Sequence, residues 1–301
     1  MFSAELAADF QSAPSDCNRS ADNKSSSQRA ATLFMKHYIC ATCGTQFPAS
    51  ERPPERCPIC EDERQYIGWS GQRWTTLGEL RRNHHCDIRD DLGLTGIGTE
   101  PSFAIGQRAL LVRTPEGNLM WDCITMIDDA AVEAVRRLGG IRAIAISHPH
   151  YYSSVVEWAH AFGAAVYLHA ADRQWVMRPD PAIEHWDSDV KELWSGLTLI
   201  RAGGHFAGGT VLHQRDGADG RGALLSGDIV MVAQDRRWVS FMYSYPNYVP
   251  LDAKAVDRIV AAVEPFAFDR IYAAWWARNV GSDAKAAVRR SAERYKRAIS
   301  G

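Results

Sequence analysis

The 301-residue chain lacks any apolar run near the roughly 18 residues that span a bilayer, so no transmembrane helix is expected. Its N-terminus has no apolar core of the secretory kind, which argues against export and places the protein in the cytoplasm. Charge of one sign is scarce too. A formal net charge of −2 gives no electrostatic reason to expect nucleic acid or an anionic membrane as partner. There is no internal repeat and no glycine-rich phosphate loop. Between Ser12 and Gln28 apolar residues are almost missing, so residues 1–34 are expected to be a disordered extension, with Met35 a second candidate start. The remaining composition, 46% hydrophobic and 23% charged, is that of a soluble globular protein with room for one large domain and a small appendage.

Cysteine, by contrast, is present and patterned. Seven cysteines in a chain not expected to be exported favour metal ligands or free thiols over disulfides. Cys40-Ala41-Thr42-Cys43-Gly44 and Cys57-Pro58-Ile59-Cys60 are two C-x2-C pairs separated by thirteen residues. Two such turns can present four thiolates to one tetrahedral zinc or iron ion. The segment, taken as residues 35–66, resembles rubredoxin-like and zinc-ribbon modules. That resemblance leaves structural support, electron transfer and docking all open as its task. Residues 67–95 read as a connector packed on the main body through Trp69, Trp74 and Leu77. His84-His85-Cys86 and the single Cys17 and Cys123 are read as surface, packing or incidental residues.

From Phe103 the chain is strongly patterned. Ala104–Val112 and Leu119–Ile124 flank the turn Thr114-Pro115-Glu116-Gly117-Asn118 and predict a hairpin. A helix capped by Asp128 or Asp129 is expected over 130–138, then a strand over 141–146, a helix over 155–162, a strand over 165–169 and a short helix over 172–177. Strands follow at 197–202, 210–214, 223–226, 238–243 and 269–274. Helices are expected from Asp252 to Val263 and from a Ser282 cap to Ile299. This alternation predicts an α/β domain over 96–301 with a mixed sheet covered by helices.

Chemistry-bearing residues gather where strands end, the usual place for sites in such sheets. His148 and His150 leave the strand at 141–146, His205 follows Gly203-Gly204 after the next long strand, and Asp228 follows Ser226-Gly227. Three imidazoles and a carboxylate suit zinc, iron or manganese.

These residues carry a resemblance to the metallo-β-lactamase fold superfamily, the group that includes glyoxalase II. Leu119-Met120-Trp121-Asp122 matches the opening strand ending in aspartate. His148 and His150 match the start of His-x-His-x-Asp-His, His205 the third histidine in its glycine turn, and Asp228 the Gly-Asp carboxylate. The resemblance implies a four-layer αββα sandwich with the metal at one edge. Two departures stand out. Tyr152-Ser153 replaces the Asp-His that completes a second metal site, and Trp275-Trp276-Ala277-Arg278 stands where a final histidine is expected. The implied site is therefore mononuclear, one zinc or iron held by His148, His150 and His205 with Asp228 as fourth or distal ligand.

The function implied is hydrolysis of a small ester, thioester or lactone by metal-bound hydroxide. Tyr151, Tyr152 and Asp228 are the candidate catalytic side chains, and packing is the alternative for the two tyrosines. Trp275, Trp276, Tyr243, Tyr245 and Tyr248 are candidates for an aromatic pocket. A mononuclear non-haem iron oxidoreductase fed by the rubredoxin-like module is a second reading, and a degenerate binding protein a third. The partner expected is a small-molecule substrate, with self-association left open.

Overall fold

The computed structural model describes residues 35–300, and the extension expected over 1–34, with Cys17, lies outside them. Two sheets meet face to face. The first has seven strands in the order Ile183–Trp186, Ala165–His169, Ala143–Ala145, Leu119–Trp121, Ala109–Val112, Leu94–Glu100 and His85–Asp91. Its first four are parallel to one another and the rest antiparallel. The second has six, in the order Val190–Glu192, Leu197–Arg201, Thr210–Gln214, Ala223–Gly227, Arg270–Ala273 and Asn279–Val280.

Side chains that alternate along these strands fill the space between the sheets. Leu110, Val112, Leu119 and Trp121 from one sheet meet Leu197, Leu199, Leu212 and Leu225 from the other, all buried. Each such side chain contributes roughly 1.5–3 kcal/mol by leaving water. The outer faces are covered by helices. Asp129–Arg137 and Val155–Phe162 lie on the first sheet, and Ala253–Val263 and Ala284–Ser300 on the second. The architecture is a four-layer αββα sandwich, as the resemblance implies.

Local chemistry sets the strand ends that matter. Asp128 caps its helix by accepting from Ala131 N at 2.7 Å, worth about 1 kcal/mol. Gly140, with φ of 72°, donates to the Val135 carbonyl and closes that helix, which turns the chain into the strand that delivers His148.

Several expectations change. Within residues 67–95, expected as a connector, His85–Asp91 is instead a strand that pairs with Leu94–Glu100 as a hairpin at the edge of the first sheet. Its turn is made by Leu92 and Gly93, both at positive φ. Trp69 does not pack on the main body but is fully exposed, whereas Trp74 packs edge-on to Phe47 in the cysteine module. The strand expected over 238–243 is two short ones, Val239–Ser240 and Met242–Ser244, with Phe241 turned into the helix-covered core. The helix expected after a Ser282 cap begins at Ala284, preceded by Asp283 at φ of 56°. Among the described residues no helix is long and apolar enough to cross a membrane.

Candidate metal centres

The N-terminal module is a three-stranded sheet of Lys36–Cys40, Gln46–Ser50 and Trp74–Thr75 closed by the turn Pro58–Glu61. It gathers Cys40, Cys43, Cys57 and Cys60, all buried. Cys40 and Cys60 Sγ are 3.6 Å apart, and Cys43 and Cys57 Sγ are 3.7 Å apart. Those gaps are too wide for disulfides. They match the edge of a tetrahedron with about 2.3 Å metal–sulfur bonds, whose corners lie roughly 3.8 Å apart. Contacts from Cys43, Cys57 and Cys60 push the Cys40 thiol down, while the Cys40 contact and burial push Cys43 and Cys60 up. Four thiolates packed at these distances would repel one another, and a shared cation removes that cost. Gln72 Nε2 donates to Cys40 Sγ at 3.2 Å, a hydrogen bond suited to a thiolate acceptor. The module is joined to the body through Thr125 Oγ1, which donates to the Gly44 carbonyl at 2.9 Å, and through Gln46 N to the Ser153 carbonyl at 3.0 Å.

The second cluster is built from four strand ends. Asp122 leaves the strand Leu119–Trp121 at φ of 59°, and its Oδ1 accepts from Ser147 N at 2.8 Å. That bond fixes the turn of Ser147 to Ser153. Pro149–Tyr151 makes one 3-10 turn within it, which aims His148 and His150 into one space. Their rings lie 5.1 Å apart, and each is 4.9 Å from the His205 ring. Gly204 is required before His205 because a Cβ there would meet Ile259 Cδ1 at 2.6 Å. Gly227 likewise lets the Asp228 strand end pass Ser147, whose Oγ would lie 2.5 Å from a Cβ.

The nitrogens have defined roles. His205 Nδ1 is 2.7 Å from the Tyr243 carbonyl, and a carbonyl only accepts, so Nδ1 carries the proton and Nε2 a free lone pair. That Nε2 lies 3.1 Å from His150 Nδ1. His148 Nδ1 is 2.9 Å from Ser147 Oγ, which leaves its Nε2 facing Asp228 Oδ1 at 3.2 Å. No hydrogen-bond partner satisfies His148 Nε2, His150 Nε2 or Asp228 Oδ1, although all are buried. Nitrogen ligands about 2.0–2.1 Å from a tetrahedral zinc lie roughly 3.3 Å apart, close to both spacings.

Electrostatics agree. Burial lowers the pKa of all three histidines, His205 to about 4, and keeps them neutral, as metal ligands must be. Burial also raises Asp228 and Asp122, each to about 7. His148 Nε2 and Asp228 Oδ1 face each other, buried and without a hydrogen-bond partner, at a cost that a cation removes. The residues therefore fit a metal ion.

The other candidates fall as follows. Tyr151 belongs to the cluster: its hydroxyl donates to Asp228 Oδ2 at 3.1 Å and its ring lies 4.4 Å from His148. Tyr152 points elsewhere, into the wall of a cavity of about 20 Å³ with Val155, Leu168 and Gln46, room for one water. Ser153 accepts from Gln107 Nε2 at 3.1 Å and serves the backbone. The aromatic pocket does not form as expected. Trp276 lies against Gly96 and Gly98 with Arg89 4.1 Å above it, and Tyr248 is exposed. Trp275 stays within 6.4 Å of Tyr151, and the Tyr245 hydroxyl donates to the Asp228 carbonyl at 2.9 Å. His85 and Cys86 sit in an edge strand, where Cys86 N donates to Asp128 Oδ2. Residues not anticipated are Ser147, Phe206 and Arg64. Arg64 lies far from His205 in sequence, so no local signal points to it.

Comparison with known proteins places this geometry. No family model matches the chain. A Bacillus subtilis protein, YmaE, described as uncharacterised, is 49% identical over 269 residues, 88% of this chain and 98% of its own length. Among solved structures, the DIM-1 metallo-β-lactamase matches with a TM-score of 0.53 at 11% identity, covering 71% of this chain and 98% of the other. The FIM-1 metallo-β-lactamase from Pseudomonas aeruginosa, in its mono-zinc form, matches at 0.52 and 15% identity, covering 70% and 96%. At such identities the likeness is one of fold.

Proposed function

This chain belongs to one family with YmaE and carries the metallo-β-lactamase fold, and from that premise we propose that it is a mononuclear metal-dependent hydrolase. His148, His150 and His205 would hold the metal, with Asp228 as fourth or distal ligand. The observation that carries this reading is the convergence of three buried imidazoles, His148, His150 and His205, whose facing nitrogens lie within 4.8 Å of one another, with His148 Nε2 and Asp228 Oδ1 buried, unpartnered and 3.2 Å apart. FIM-1, of the same fold, has been solved in a mono-zinc form, which is compatible with a single ion here.

When bound, the metal supplies a Lewis acid for a carbonyl oxygen and lowers the pKa of water near it. The protein's own part is orientation and proton holding. The Tyr243 carbonyl fixes the His205 proton on Nδ1, and Ser147 Oγ orients the His148 ring so that its Nε2 faces inward. Burial pushes the Tyr151 phenol well above its ordinary value, so it stays protonated and donates to Asp228 or to an oxyanion developing beside it. Tyr152, turned away, has no part in this chemistry. The positions that would complete a second site hold Tyr152, Ser153 and Trp275, and each is engaged in packing or backbone contacts. The substrate class is a small ester, thioester or lactone, and zinc is the metal expected in both centres. The four-cysteine centre is structural, and its reduced thiols suit the cytoplasm.

A panel of such substrates tests the reading. Turnover by the purified protein should fall at least 100-fold in His148→Ala and in His205→Ala, and turnover that survives both substitutions overturns it.

A further inference from the structure

The stretch Asp62–Gln65 begins two residues after Cys60 and reaches the histidine cluster at His205. Arg64 Nη1 donates to the His205 carbonyl at 3.3 Å, and its guanidinium sits 4.0 Å over the Phe206 ring. Asp62 grips that guanidinium by two bonds, Nε to Oδ1 at 2.6 Å and Nη2 to Oδ2 at 2.9 Å. Asp62 is also the residue that ends the turn carrying Cys60, its N–H donating to the Pro58 carbonyl. From the other side, Asn247 Nδ2 donates to the Glu63 and Gln65 carbonyls at 2.9 and 3.0 Å, and Ser244 Oγ to the Arg64 carbonyl at 3.1 Å. The Tyr243 hydroxyl reaches Glu63 at 2.7 Å, while the Tyr243 carbonyl holds His205 Nδ1. His205 is thus fastened twice to one strap, through its own carbonyl and through Tyr243.

We propose that Arg64 is a positioning residue of the histidine centre, and that a filled four-cysteine centre holds it in place. The inference rests on the reading that the histidines bind metal. Cys60 fixes Asp62, Asp62 fixes the guanidinium, and the guanidinium fixes the turn that aims His205. Groups that orient metal ligands commonly change metal affinity 10- to 100-fold when removed. Lysine cannot replace Arg64 here. It has neither the planar fork that Asp62 grips nor the flat face that lies on Phe206.

The test uses the full-length zinc-loaded protein, challenged with a chelator while metal release from each centre is followed. Arg64→Ala and Arg64→Lys should speed release from the histidine centre about tenfold or more. The cysteine centre should keep its metal in both, a separation that general loosening of the fold would not give. Asp62→Asn, which leaves every cysteine in place, should act in the same direction. Cys57→Ser should do so too if it folds. Unchanged release in Arg64→Ala overturns the proposal. Hydrogen exchange over 62–65 and 243–247 reads the strap itself, and should quicken in Arg64→Ala. A wild-type protein that binds no metal at the histidines overturns the functional reading instead, and unchanged exchange in that protein overturns the strap as well.

Discussion

The Tyr151 hydroxyl donates to Asp228 at 3.1 Å from within the same turn that carries His148 and His150. The turn therefore provides two metal-facing imidazoles and also tethers the carboxylate from the opposite sheet. One turn thus carries two of the three clustered imidazoles and the hydroxyl that holds the Asp228 carboxylate.

Removing that tether has a signed consequence. Burial already raises the Asp228 pKa to about 7, and the Tyr151 bond is what opposes the rise. Tyr151→Phe should raise it further, so proton competition for the carboxylate sets in at higher pH. Metal affinity measured from pH 5.5 to 8.5 should show its acid-side loss displaced upward in the variant. A superimposable profile contradicts this role.

Asp228→Asn separates the cost of the carboxylate from its use. A carboxyl raised from 3.8 to about 7 in the fold contributes stability below the unfolded value that is lost as pH rises through the folded one. Metal-free Asp228→Asn should therefore match wild type at pH 4 and exceed it at pH 8. The gain is on the order of 4 kcal/mol at about 1.4 kcal/mol per unit. The histidines, lowered by burial, slope the other way below pH 6.5 but are common to both proteins. Saturating zinc should reverse the order at pH 8. Urea melts with and without zinc check both statements.

Arg108 and Asp91 form the other buried ionic feature, with Arg108 Nε 2.5 Å from Asp91 Oδ2 and Asn279 Nδ2 donating to Asp91 Oδ1. Arg108 also donates to the Ala273 carbonyl, so it ties the edge hairpin to the strand Arg270–Ala273. Arg108→Ala should cost about 3–5 kcal/mol, because it strands a buried carboxylate. A loss below about 1 kcal/mol in chemical denaturation contradicts that assignment.

The histidine and cysteine centres were legible because their residues recur at strand ends and in paired turns. Val155–Phe162, Ala165–His169, Thr210–Gln214 and Ala253–Val263 were legible from apolar period and capping alone. His85–Asp91 was not. It is a half-exposed edge strand whose charges and histidines mask its alternation, and only pairing with Leu94–Glu100 makes it a strand. Trp276 and Tyr248 resembled pocket residues because composition does not say which way an aromatic turns. Arg64 was invisible for a similar reason. Its partners His205 and Phe206 lie in another element, and nothing local marks an arginine in a loop as a clamp.

The most direct test of the central claim is the metal-to-protein ratio, measured by elemental analysis on wild type, His148→Ala and Cys57→Ser. The proposed reading predicts two ions per wild-type chain, one after His148→Ala and one after Cys57→Ser, from the two clusters of ligand-type side chains. Three ions in the wild type, or an unchanged ratio in His148→Ala, would contradict a single metal at the histidines.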